Sequence, residues 1–195
     1  MVYSRNVNDK LYTFGVSGRL YKSNVLLYDH QTESLWSQLM EKAVSGNLAG
    51  QSLKVLPSTR VKWASWKKLY PDSRVLSTET GYQRNYALDP YEGYYRIGSL
   101  MFPVGNVRKD FSPKKRILGI KINSESRAFP IDELASRPGI HRDKLGGKDI
   151  QIEVDKDGQI VAVFDQSRRP VAHIFAYWFA WQAFHPDTGV YKWTD

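Results

Sequence analysis

The chain has 195 residues, of which 42% are hydrophobic and 25% charged, a balance that indicates a folded protein and excludes a disordered one. It carries a formal net charge of +8 and no cysteine, so disulfides, thiolate catalysis and cysteine-ligated zinc are excluded. Aromatic residues make up 13% of the chain, which favours a β-rich core, a ligand-binding surface, or both.

The first third of the chain is predicted to consist mainly of strands. Two β-rich runs, Leu11–Val16 and Val25–Tyr28, flank a segment rich in Ser, Gly and Asn, and they predict a hairpin. A further strand that holds Trp36 and Gln38 is expected within residues 30–40. Another is expected over Ser52–Leu56, after a turn rich in glycine.

A tryptophan-bearing helix is predicted next. Trp63, Trp66 and Leu69 are spaced three residues apart, which places them on one face of a helix. Pro71 is expected to end this helix, because proline lacks the backbone N–H that a helix interior requires.

The remainder of the chain alternates between loops and strands. A strand is expected to start at residues 75–76, and residues 77–105 are predicted as a long ordered loop, since they show no helical period. RILGIKI at 116–122 alternates like a strand, and RAFPIDELASRPG at 127–139 is typical of a strand end followed by a short helix. Residues 149–165 form the clearest predicted hairpin, and a last strand leads into a second tryptophan helix.

The two tryptophan segments share the pattern W-x-x-W-x-x-[LF]-[YH]-P-D-[ST]-x-V, at residues 63–75 and 178–190. The hairpins that precede them also correspond, so we expect an internal pseudo-repeat of roughly residues 10–76 and 148–191 within a single domain, 1–195. The predicted fold is therefore mainly β, a β-rich α+β class. Its two pseudo-repeated halves each comprise a hairpin and a short helix that buries its tryptophans in a shared core.

Polar residues within the first predicted hairpin, and a polar, aromatic run after the first helix, indicate a candidate ligand pocket. Asp29 would act as an acceptor or base, and Arg84 would bind a carboxylate or phosphate. The alternative is a turn and ladder network that binds no ligand, since buried polar groups need hydrogen bonds in any case. The candidate ligand-binding residues are Ser17, Ser23, Asp29, Trp36, Gln38, Arg84, Tyr86, Asp89 and Tyr91.

Several of these segments together resemble a known family. FGVSGRLYKSNVLLYDHQTESLWSQ, WASWKKLYPDSRVLS, the run from Arg84 to Tyr91 and AFPIDEL resemble the domain of unknown function numbered 3179 (DUF3179), found in bacteria and archaea. The resemblance implies no established activity. It does imply that the chain is truncated before Met1, where members carry another AFPIDEL-type segment and a Cys-Pro-Leu motif. Exported members imply an envelope or extracellular origin, although MVYSRNVNDK lacks the apolar region of a signal peptide.

The sequence leaves two classes of function open. The first is a small-ligand-binding or scaffold domain whose aromatic, basic pocket takes a small anionic or sugar-like ligand. The alternative is an enzyme with a polar site around Asp29 and Arg84 that also requires the upstream cysteine segment. No metal or cofactor is expected, because the four histidines lack a metal-ligand spacing. The dispersed basic residues argue against a nucleic-acid partner, and no apolar run approaches the ~20 residues of a membrane helix.

Overall fold

The computed structural model describes residues 1–105 and 107–193. Strands account for 36% and helices for 12%, which confirms the predicted mainly β class. The strands are β1 (Asn6–Val7), β2 (Lys10–Leu11), β3 (Phe14–Tyr21), β4 (Asn24–Asp29), β5 (Leu35–Ser37), β6 (Lys42–Ser45), β7 (Arg116–Ile122), β8 (Glu125–Pro130), β9 (Gly139–Leu145), β10 (Lys148–Val154), β11 (Ile160–Asp165), β12 (His173–Tyr177) and β13 (Gly189–Val190). The helices are α1 (Trp63–Leu69), α2 (Glu92–Arg96), α3 (Ile131–Ala135) and α4 (Trp178–Phe184).

The N-terminal part of the chain forms an antiparallel sheet with the order β3-β4-β5-β6. The predicted first hairpin is present, but its first strand continues to Tyr21. Lys22 and Ser23 then form a two-residue turn with φ angles of 46° and 61°, the geometry that suits the twist of a hairpin. Trp36 on β5 is fully buried, with the ring of Phe14 edge-on at a centroid distance of 5.6 Å. The sheet therefore has a small core of its own.

Three expected strands are shorter than predicted or missing. Within residues 30–40 only Leu35–Ser37 is a strand, so Gln38 lies outside it. Residues 52–56 form only isolated β-bridges, and residues 75–76 belong to no strand. A β-prone run becomes a strand only where a neighbouring edge offers backbone partners along its length.

The C-terminal part is built on two further sheets. One has the order β12-β7-β8-β13 and the other β11-β10-β9, and the predicted strand at 116–122 and hairpin at 149–165 are both confirmed. Alternate residues of β7 point to opposite faces. Leu118 and Ile120 pack with Ile150 and Ile152 of the second sheet, whereas Ile117 packs against the tryptophans of α4. The β7–β8 sheet is thus covered on both sides, which explains its almost continuous burial.

The two tryptophan segments have the same local structure. Each forms a seven-residue helix whose C-cap N–H donates to the carbonyl of the second tryptophan. The indole Nε1 of Trp66 donates to Ser73 Oγ at 2.9 Å, and that of Trp181 donates to Thr188 Oγ1 at the same distance. The two helices differ in burial: α4 buries both tryptophans, whereas α1 has no buried residue and Trp63 is 43% exposed. The expected burial is therefore wrong for α1, and the duplication of whole halves stays a prediction.

Candidate functional site

Asp29, the centre of the predicted pocket, lies in the core of the first sheet. Its Oδ1 accepts the backbone N–H of Thr32 at 2.6 Å and the Thr32 hydroxyl at 2.8 Å, and its Oδ2 accepts Trp36 Nε1 at 2.8 Å. Burial acts to raise the pKa of Asp29, but the hydrogen bonds from Trp36 and Thr32 outweigh it and hold the pKa below its usual value. Asp29 is thus a buried carboxylate that fixes the turn after β4 and orients Trp36.

The other predicted residues of this sheet also bond to the protein itself. Ser17 Oγ donates to the carbonyl of Leu26 at 2.7 Å, and Gln38 Nε2 donates to that of Val25 at 3.2 Å. Ser23 occupies the hairpin turn. These contacts match the alternative of a turn and ladder network.

The second predicted group, from Arg84 to Tyr91, lies on an exposed segment that belongs to no strand. The hydroxyl of Tyr86 bonds to that of Thr80 at 2.5 Å, and the backbone N–H of Tyr91 donates to Asp89 Oδ1 at 2.8 Å. Arg84 is exposed. Of the nine predicted site residues, only Asp89 lines the cavity described next.

A basic, aromatic cavity of about 540 Å³ lies where α2 and the segment before α1 approach the β7–β12 edge. Arg116, the first residue of β7, pairs in the sheet with Tyr177, the last residue of β12, so the register places a cation and a phenol side by side. We call it the basic cavity. Its lining residues are Arg60, Asp89, Tyr95, Lys114, Arg116, Ile131, Phe175, Ala176 and Tyr177.

The three cations that line the basic cavity outnumber its one carboxylate, Asp89. Among the residues that the structure describes, neither Arg60 nor Arg116 forms an ion pair. Lys114 differs, because its ammonium donates to the carbonyls of Tyr94 and Ile97 and lies 3.5 Å from the centroid of the Tyr94 ring. Two guanidinium groups are therefore available to an incoming anion.

Asp89 and Tyr95 add a polar wall to the basic cavity. The Tyr95 hydroxyl donates to Asp89 Oδ1 at 3.5 Å, a long and weak hydrogen bond. Desolvation and the neighbouring Asp89 carboxylate both raise the pKa of Tyr95, so its hydroxyl stays protonated at neutral pH. The Asp89 carboxylate can also accept hydrogen bonds from hydroxyl groups of a ligand.

Sequence reasoning missed most of this cavity. Residues 108–116 contain the cations Arg108, Lys109, Lys114, Lys115 and Arg116, of which Arg108, Lys114 and Lys115 bond within the protein. Arg108 pairs with Asp110 and Lys115 with Asp132. The one available signal was the position of Arg116 at the start of a predicted strand, because strand ends lie at the edge of a sheet.

Within residues 1–105 and 107–193, no three or more His, Asp or Glu side chains are grouped so that they could hold a metal ion. In the same part of the chain, no helix combines the length and the hydropathy needed to cross a membrane.

Comparison with known proteins identifies the family. The model of the family described as "Protein of unknown function (DUF3179)" matches residues 1–169 of the 195-residue chain. No curated protein and no solved structure matches the chain. The chain belongs to the DUF3179 family.

Proposed function

We propose that this DUF3179 member is a small-ligand-binding protein and that the basic cavity takes a small anionic ligand. One observation carries the proposal: Arg60 and Arg116 line the same cavity, and neither has an acidic partner among the described residues. Guanidinium groups bind carboxylates and phosphates through paired, charge-assisted hydrogen bonds.

The remaining walls favour a ligand that carries a ring with hydroxyl groups. Phe175, Tyr95 and Tyr177 provide apolar faces, while the Asp89 carboxylate can accept hydrogen bonds from hydroxyls. The volume of about 540 Å³ lies within the range of roughly 300–1,000 Å³ that small-molecule sites occupy. A sugar acid or sugar phosphate fits this combination of charge, ring and hydroxyls.

The enzyme alternative around Asp29 and Arg84 receives no support from the contacts of Asp29. A general base at neutral pH works best with a pKa near 7, whereas the pKa of Asp29 is lowered. Both of its carboxylate oxygens already accept hydrogen bonds from Thr32 and Trp36.

A pair of ligands that differ only in charge tests the proposal. Isothermal titration calorimetry at low salt with glucuronate and with glucose compares a carboxylate with a neutral CH₂OH on the same ring. We expect glucuronate to bind and glucose to bind at least tenfold more weakly, because a hydrogen bond to a charged group contributes about 1.5–3 kcal/mol. Glucose 6-phosphate extends the comparison to a phosphate.

Variants locate the binding site. Arg60→Met and Arg116→Met should each weaken glucuronate binding about tenfold or more, again from the loss of a charge-assisted hydrogen bond. Arg5→Met is the matched control, because Arg5 is exposed, forms no ion pair among the described residues and lies outside the basic cavity. Equal affinity for glucose and both anions, or equal losses in all three variants, would refute the proposal.

A further inference from the structure

A second, smaller cavity lies where the first sheet meets β7, β12 and α4. Its volume is about 220 Å³, which at about 30 Å³ for each water molecule is room for roughly seven waters. Among the described residues, it shares no lining residue with the basic cavity. We call it the junction cavity.

The turn between β5 and β6 brings a carboxylate to the junction cavity. Leu39 in this turn is 1% exposed and packs with Trp178 and Trp181, so it anchors the turn against α4. Glu41 follows two residues later and lines the cavity. Its φ of 58° lies in the left-handed region, which is uncommon for residues other than glycine, asparagine and aspartate. The carbonyl of Glu41 accepts the N–H of Leu53 at 2.7 Å, which fixes the backbone in this conformation.

Strand β7 brings an ammonium group to the same cavity. Residues two apart in a strand lie on the same face, so Lys121 shares the face of Gly119. The Trp181 ring lies on that face, and an added Cβ on Gly119 would be 2.5 Å from it. Glycine at this position therefore lets the indole approach β7 beside Lys121. Lys121 is exposed, so the cavity opens to solvent on its side.

The two charges of the junction cavity have no ion-pair partner in the protein. Within residues 1–105 and 107–193, neither Glu41 nor Lys121 forms an ion pair with the other or with a third side chain. Burial raises the pKa of Glu41, and the positive charge of Lys121 acts in the opposite direction. A half-buried carboxylate thus faces the same space as an unpaired ammonium, and a ligand with both signs of charge can pair with each of them.

We propose that the junction cavity binds a small zwitterionic amino acid with an apolar side chain. The Glu41 carboxylate accepts hydrogen bonds from the ammonium group of the ligand, and the Lys121 ammonium donates to its carboxylate. Leu53, Val55 and Ile174 provide apolar surface for the side chain. A single metal or halide ion would pair with only one of the two charges. Alanine has the charges and the size that the cavity allows.

Ligands that differ from L-alanine by one charge test the proposal. Propionate lacks the ammonium group, and L-alaninamide lacks the carboxylate. In titrations of the full chain followed by ¹H–¹⁵N NMR, we expect L-alanine to shift the amide resonances of Glu41, Gly119 and Lys121. Both analogues should bind about tenfold more weakly or worse, because each loses a charge-assisted hydrogen bond. This comparison uses the unaltered chain, so it does not depend on the folding of any variant.

Variants locate the binding site. Glu41→Gln and Lys121→Met should each weaken the binding of L-alanine about tenfold or more. The matched controls are Glu125→Gln and Lys144→Met, because both side chains are exposed, form no ion pair among the described residues and lie outside the junction cavity. The controls should leave the affinity unchanged, and so should Arg116→Met in the basic cavity.

Three results would overturn the proposal. The first is the absence of any shift in these resonances with L-alanine at up to about 10 mM, well above the Kd of about 1 mM that a weak ligand has. The second is equal affinity for L-alanine, propionate and L-alaninamide, which would mean that the cavity does not recognise both charges. The third is an equal loss of affinity in the two cavity variants and their controls. A failure of glucuronate to bind in the basic cavity would leave all of these expectations unchanged.

Discussion

Replacing Thr188 by valine should cost far more stability than replacing Ser73 by alanine, although both changes delete the same indole–hydroxyl hydrogen bond. Both bonds are 2.9 Å long and join residues seven positions apart. Only the surroundings differ. Trp181 is 1% and Thr188 2% exposed, whereas Trp66 and Ser73 are both partly exposed.

The expected magnitudes follow from what happens to the indole N–H. In Thr188→Val the Nε1–H of Trp181 stays buried without an acceptor, which costs about 1–3 kcal/mol. In Ser73→Ala water can replace the lost hydroxyl at Trp66, so the cost should stay within about 0.5 kcal/mol. For a chain of this size, 1 kcal/mol corresponds to roughly 2–4 °C in Tm, so the two variants should differ clearly.

Urea denaturation followed by near-UV circular dichroism measures both costs. Thr188→Ser is the control, because it keeps the acceptor oxygen and removes only a methyl group. Equal costs for Thr188→Val and Ser73→Ala would refute the reasoning, since they would mean that burial does not distinguish the two tryptophans.

Two further predictions concern buried titratable groups. Burial lowers the pKa of His185 to about 4, so the unfolded chain binds more protons between pH 4 and about 6.5. The free energy of unfolding should therefore fall by about 3 kcal/mol as the pH drops across that range. His185→Phe should remove this loss and the exposed-site control His30→Gln should keep it, as denaturation at several pH values will show. Asp29→Asn should cost about 2–3 kcal/mol at pH 7, because an amide cannot replace both oxygens that accept bonds from Trp36 and the turn. The pKa of Asp29 is lowered, so this stabilisation is present above the unfolded carboxyl pKa and is lost as the pH falls through the folded one. Asp149→Asn changes an exposed side chain, so it should change stability little both at pH 7 and at a pH below the carboxyl pKa.

Local sequence patterns predicted the two hairpins and the two tryptophan helices, because those elements depend on residues close in the chain. The prediction of a loop over residues 77–105 was wrong for Glu92–Arg96, which forms α2. The alternation in 116–122 and the Asp-Gly turn in 149–165 are local signals for a strand and a turn, and the structure contains both. The tryptophan spacing predicted both helices, which the structure places at Trp63–Leu69 and Trp178–Phe184.

Burial of the first tryptophan helix could not be predicted in the same way. The pattern W-x-x-W gives a helix with one aromatic face, but a buried face also needs an opposite surface. For Trp181 that surface is β7, about 60 residues earlier in the chain, and its fit depends on the single glycine Gly119. The helix pattern at Trp66 contains no information about whether such a strand is present.

The polar residues of the first sheet allow two interpretations for a related reason. A buried carboxylate such as Asp29 needs hydrogen-bond donors, and a ligand site is only one arrangement that provides them. Here the turn that follows the strand provides them through Thr32, as Asp and Thr side chains commonly do next to turns. A sequence pattern shows that the polar groups need partners, but the partners become visible only in three dimensions.

The basic cavity differs from the Asp29 cluster in whether its charged groups have partners in the protein. Its two free guanidinium groups come from Arg60, in the segment before α1, and Arg116, at the start of β7, which are far apart in the chain. Neither residue belongs to a motif. What distinguishes them from Arg108 or Arg127 is that those two are paired with Asp110 and Asp143. An arginine that the protein leaves without an acidic partner, in a concave and aromatic setting, gains more from an external anion than a paired one, and this favours the cavity over the Asp29 cluster as the place where a ligand binds.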